Sequence, residues 1–141
     1  MSRATLAFAV AASLALPFAA HADTTKFHAT MNAASEVPPT TSNGTGTVDA
    51  TLDSATKVLT WTATWQNLTG PAAAGHFHGP AAPGANAPVL IPWTAPITSP
   101  LHGTATLTDA QIQDLKDGKL YANLHTAQNK GGEIRGQMTA Q

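Results

Sequence analysis

Lys57-Val58-Leu59-Thr60-Trp61-Thr62-Ala63-Thr64-Trp65-Gln66-Asn67 alternates along its whole length. Val58, Thr60, Thr62 and Thr64 share one face; Leu59, Trp61, Ala63 and Trp65 share the other. A period of two, built on threonine and tryptophan, is the pattern of a half-buried antiparallel strand. Leu59, Trp61 and Trp65 are expected to face the core, and the threonines water. Just upstream, Thr47 to Asp53 repeats the pattern with Val48, Ala50 and Leu52 inward. The polar run Asp53-Ser54-Ala55-Thr56 between them is a turn signal, so the two runs predict a hairpin.

Working outward, Phe27, Ala29 and Met31 predict an earlier strand. Gly103 to Leu107, Lys119 to Thr126 and Glu133 to Thr139 predict later ones. One short helix is expected near 108–117. Thr108-Asp109 can cap it, Ile112 and Leu115 lie three apart, and Gly118 can end it. The proline-rich stretch Gly79 to Pro100 is expected to lie over the strands as a long loop, with a brief edge strand near Val89 to Ile91. Short strands with frequent turn signals predict an all-β chain, an antiparallel β-sandwich forming one domain over 23–141.

Composition narrows the function classes. Charged residues are 11% of the 141, and the formal net charge is −1, which excludes a basic nucleic-acid binder. With no cysteine there is no disulfide scaffold, thiol nucleophile or thiolate metal site. Residues 1–22 are expected to be a signal peptide. Arg3 supplies the positive start, Ala4 to Phe18 is almost wholly apolar, and Ala20-His21-Ala22 is the small-x-small cleavage pattern. The apolar run is short of the ~20 residues a membrane span needs. The expectation is a periplasmic or secreted protein with no transmembrane segment after cleavage.

The histidines carry the chemical signal. His76-Phe77-His78 places two imidazoles on one strand face, with Cα atoms ~6.6 Å apart. Phe77 points the other way, into the core, so the pair is expected to project from an outer face. In Tyr121-Ala122-Asn123-Leu124-His125, Ala122 and Leu124 read inward and Tyr121, Asn123 and His125 outward. A hairpin through Gln128 to Gly132 would set His125 near Glu133 and Asn123 near Arg135. If the His76 strand neighbours this hairpin, His76, His78 and His125 meet on one surface as a metal site. Three imidazoles suit copper, zinc or nickel, and Cu(II) binds most strongly among first-row ions. Copper is therefore the first expectation and zinc the second.

Glu133 could orient a ligand histidine from outside the ligand set, with Arg135 beside it in the same outer layer; Arg135 could instead attract an anion. The competing reading pairs Glu133 with Arg135 in a purely structural contact. His28 and His102 are expected on the surface, away from the site. Exposed histidines two apart often do no more than stay solvated. No Ser-His-Asp order, paired carboxylates in a cleft or phosphate-binding glycine loop is evident, so no catalytic residues are assigned.

Four segments together resemble the CHRD domain, a module first named from chordin and common in exported bacterial proteins. They are Ser35-Glu36-Val37-Pro38-Pro39, Ala74-Gly75-His76-Phe77-His78-Gly79-Pro80-Ala81, Tyr121-Ala122-Asn123-Leu124-His125-Thr126 and Gly132-Glu133-Ile134-Arg135-Gly136-Gln137. Their order spans about Thr25 to Met138. The resemblance implies an immunoglobulin-like sandwich in an extracytoplasmic protein; in chordin-type animal proteins the module belongs to growth-factor antagonists. Where many members have proline in the loop before the final strand, this chain has Lys130. A looser likeness is to copper–zinc superoxide dismutase, with His76 and His78 matching its copper-binding His-x-His. The dismutase disulfide and zinc loop have no counterpart here.

Three functions follow as expectations. The first is an exported binding protein with a copper site, handling copper in the periplasm. The second is a metal-free module that binds an extracytoplasmic protein through its loops. The third is a copper-dependent redox enzyme of the dismutase type.

Overall fold

The computed structural model describes residues 23–141; the expected signal peptide, 1–22, lies outside them. The strands are β1 (Thr24–Asn32), β2 (Thr45–Asp53), β3 (Val58–Gln66), β4 (Ala72–His78), β5 (Val89–Pro92), β6 (Leu101–Thr106), β7 (Tyr121–Thr126), β8 (Ile134–Gln137) and β9 (Thr139–Ala140). A single α-helix, α1 (Asp109–Lys116), lies between β6 and β7. Thr108 caps it: the Thr108 hydroxyl accepts from the Gln111 N–H, and the Gln111 side chain accepts from the Thr108 N–H. Among the described residues no helix is long and apolar enough to cross a membrane.

The β2–β3 hairpin follows the alternation in the sequence. Val48 pairs with Ala63, Ala50 with Trp61 and Leu52 with Leu59. All six are buried. Thr60 and Thr64 are exposed, while Trp65 is only partly buried at the end of its strand. Asp53 holds the turn, its carboxylate accepting from the Ala55 and Thr56 N–H groups at 2.9 and 2.8 Å. The expected β1 core residues, Phe27, Ala29 and Met31, are all buried.

Hydrogen bonding runs through one antiparallel sheet in the order β5-β4-β7-β8-β1-β2-β3-β6, with β9 attached to β1. The all-β antiparallel class with one short helix is observed, while the strands are joined in a single sheet rather than in the two separately bonded sheets of an immunoglobulin-like sandwich. Four strands separate β3 from β4 in that order. Yet Trp61 of β3 meets Phe77 of β4 edge-on with ring centroids 5.1 Å apart, and Phe77 meets Trp93 at 5.4 Å. The sheet therefore curls until its inner face closes on itself, nearly as a barrel. Its edges are the short β5 and β6, connected by residues 93–100.

The outer face of β4, β7 and β8 departs from the solvent-facing expectation. Tyr121, Asn123 and Arg135 are 2, 1 and 4% exposed. Two loops cover them. Residues 79–88 fold over the face, with Ala85 and Asn86 bonded to Arg135. Residues 33–44 bring Glu36 onto Asn123 and Arg135. Period-two alternation correctly assigns these side chains to the face away from the core, but it carries no information on what lies above them.

Candidate metal centre

β4 and β7 pair antiparallel, with Ala74 opposite His125, His76 opposite Asn123 and His78 opposite Tyr121. This register brings three histidines together across two neighbouring strands. His76 Nδ1 and His125 Nε2 are 3.1 Å apart. One nitrogen from each of His76, His78 and His125 lies within 4.8 Å of the others. Coordination at ~2.0–2.1 Å around one ion calls for nitrogens ~4 Å apart or less. The trio is thus gathered to within about 1 Å of that spacing.

The hydrogen bonds fix which nitrogens carry the hydrogen in His78 and His125. His78 Nδ1 lies 3.0 Å from the Ala87 carbonyl, and His125 Nδ1 lies 3.0 Å from the Lys130 carbonyl. A carbonyl can only accept, so each Nδ1 carries the hydrogen and each Nε2 a bare lone pair. Ligand histidines are commonly held this way from behind. His78 Nε2 is buried and has no hydrogen-bond partner. A buried polar atom left unpaired is costly, and an ion at the centre of the trio would remove that cost.

Burial and neighbouring charge favour the neutral form of all three imidazoles. Burial, and then the charges of His125 and His78, push His76 down from 6.5 to about 4. Burial also lowers His78 and His125, and the Arg135 charge adds to both. Neutral imidazole is the form that binds metal.

The remaining residues sort differently from expectation. Asn123 does pair with Arg135, and the Glu133 N–H bonds the Leu124 carbonyl. Glu133 nevertheless orients no histidine. It sits in the bend before β8, where strand alternation does not apply. Its carboxylate accepts from Ser42, Thr69, Thr126 and Asn129 instead. Nor does it pair with Arg135, whose Nε donates to Glu36 Oε2 at 3.1 Å with both side chains buried. Burial pushes the Glu36 carboxyl up, opposed by the Arg135 charge and the Asn123 amide. His28 and His102 stand apart from the trio, His28 on Asp49 at 2.8 Å and His102 on Thr62 at 3.0 Å.

Glu36 is the residue that sequence reasoning left out. Its only signal was a carboxylate inside Ser35-Glu36-Val37-Pro38-Pro39, and its partners are far along the chain. All four signature segments now meet around one face: Glu36, the His76–His78 pair, Tyr121 through His125, and Arg135. A family model, the CHRD domain, matches residues 27–138. No curated protein and no solved structure matches the chain. With the match covering nearly all of the described residues and the signature segments converging on one site, the chain belongs to the CHRD domain family.

Proposed function

We propose that this CHRD-domain protein is exported and binds a transition metal, copper foremost and zinc second, through His76, His78 and His125, with a role in periplasmic copper handling. One observation carries the reading: three neutral imidazoles are gathered within 4.8 Å, and carbonyls behind two of them hold Nε2 bare. Copper is favoured over zinc by the ligand set, since an all-imidazole site binds Cu(II) most strongly in the first-row series. Export rests on the leader pattern at 1–22, with which a cysteine-free chain is compatible. Titration of tag-free protein with Cu(II), set against a His76→Ala/His78→Ala double variant, tests the site. The parent is expected to bind one ion at least ~10-fold more tightly, a typical loss when ligation is disturbed; equal affinity would remove the site.

A second reading is favoured by the His76–His125 contact. At 3.1 Å the two rings can hydrogen-bond to each other with no ion between them, as they would in a metal-free interaction module. Capture of the same extracytoplasmic partners with and without chelator supports that reading; capture that depends on metal opposes it. Redox turnover of the dismutase type needs an open position on the ion, which a three-nitrogen site leaves. Copper-loaded protein that clears superoxide no faster than the metal-free form would rule it out.

A further inference from the structure

Segments far apart in the chain meet behind His78. Its ring lies flat on Tyr121, with centroids 4.9 Å apart and planes 3° apart. The Arg135 guanidinium sits 4.1 Å from the centre of the same Tyr121 ring. β7 runs between β4 and β8, so Tyr121 is the middle member of a column with His78 on one neighbouring strand and Arg135 on the other. Arg135 is held by three groups. Its Nε donates to Glu36 Oε2, its Nη1 to the Ala85 carbonyl at 3.1 Å, and its Nη2 to Asn86 Oδ1 at 2.6 Å. Asn123 donates to the other Glu36 oxygen, and Asn86 donates to the Val37 carbonyl.

Ala87 closes the circle. Its carbonyl accepts from His78 Nδ1 at 3.0 Å, and its N–H donates to the Tyr121 hydroxyl at 3.0 Å. We infer that Glu36 and Arg135 are positioning residues of the metal centre, an assignment that rests on the reading above: together they clamp residues 79–88 so that Ala87 fixes which nitrogen of His78 is bare and where it points. Stability alone gives a poor account of this ion pair. A buried pair is often no better for stability than apolar residues of the same size. Outer partners that orient a ligand, by contrast, commonly change metal affinity 10–100-fold. The geometry also explains why Glu36 and Arg135, which touch no histidine, lie in the signature segments with the three that do.

Two variants test the clamp without leaving a buried charge unpaired. Asn86→Ala releases one of the two loop contacts of Arg135 from an exposed position, and Tyr121→Phe keeps the ring while releasing Ala87. Affinity for Cu(II), measured by competition with a chelator, is compared in the parent and in a His78→Ala background, with melting temperature recorded for each. Both variants are expected to weaken binding ~10-fold or more when His78 is present and by less than ~2-fold when it is Ala. Equal losses in the two backgrounds, or no loss in a parent that binds copper, would overturn the positioning role. A parent that binds no better than His78→Ala is a different failure, since it removes the metal centre itself.

Discussion

Glu133 shows how far a buried carboxylate can be stabilised without a cation. It is fully buried, and it accepts from the Ser42 hydroxyl at 2.6 Å, the Thr69 N–H and hydroxyl at 2.7 and 2.6 Å, and the Thr126 hydroxyl at 2.5 Å. Burial raises its pKa, but these donors outweigh burial and hold it at about 2 against an ordinary 4.5. A folded pKa below the unfolded one contributes stability that is present above pH 4.5 and lost as pH falls toward 2. Glu133→Gln turns an acceptor-only group into one with an amide donor among donors. It is expected to cost ~2–3 kcal/mol at pH 7, with the gap to the parent narrowing at pH 3; urea unfolding at the two pH values checks both. At this scale the histidine trio was legible, because His-x-His on a strand fixes a shared face. The roles of Glu36 and Glu133 were not. Glu36 meets Asn123 from 87 positions away, and Glu133 meets Ser42 from 91, separations at which no local periodicity applies.

The same contrast holds for elements. The β2–β3 hairpin, the helix after Thr108 and the edge strand near Val89 were all readable, since each is set by a local pattern: alternation, a capping pair, a proline-bounded apolar run. The β7–β8 hairpin was readable, but its register was not, because a bulge could slip the strands by one residue; the structure pairs Asn123 with Arg135. What alternation could not report is the layer above a strand, and here loops 33–44 and 79–88 supply one. Close approach between elements was equally invisible. Gly103 of β6 lies opposite Trp61 of β3, and a Cβ there would come within 2.2 Å of the indole. The indole is fixed between Phe77 and Trp93, so it has little room to move. Gly103→Ala is therefore expected to destabilise the domain by ~1–3 kcal/mol through overpacking, seen as a lower urea midpoint. No change would mean that the β6 edge shifts freely.

For the whole molecule, the all-β class with one short helix was legible, whereas the single curled sheet was not. Inward and outward alternation looks the same whether strands divide between two sheets or close into one. The difference lies in long-range pairing, such as Asn32 of β1 opposite Arg135 of β8, which joins the β7–β8 hairpin to the β1–β2 hairpin. That join also shapes the candidate site. It brings the segment after β1, with Glu36, onto the face that carries Arg135, Tyr121 and the three histidines, so the fold and the site share one set of contacts. The central claim is that one ion sits among those histidines. The most direct test is an anomalous difference map, collected at the copper edge, from crystals of copper-loaded protein. The expected result is one strong peak ~2 Å from a nitrogen of each of His76, His78 and His125. A peak placed at His28, His102 or elsewhere, or none at the trio, would contradict the account.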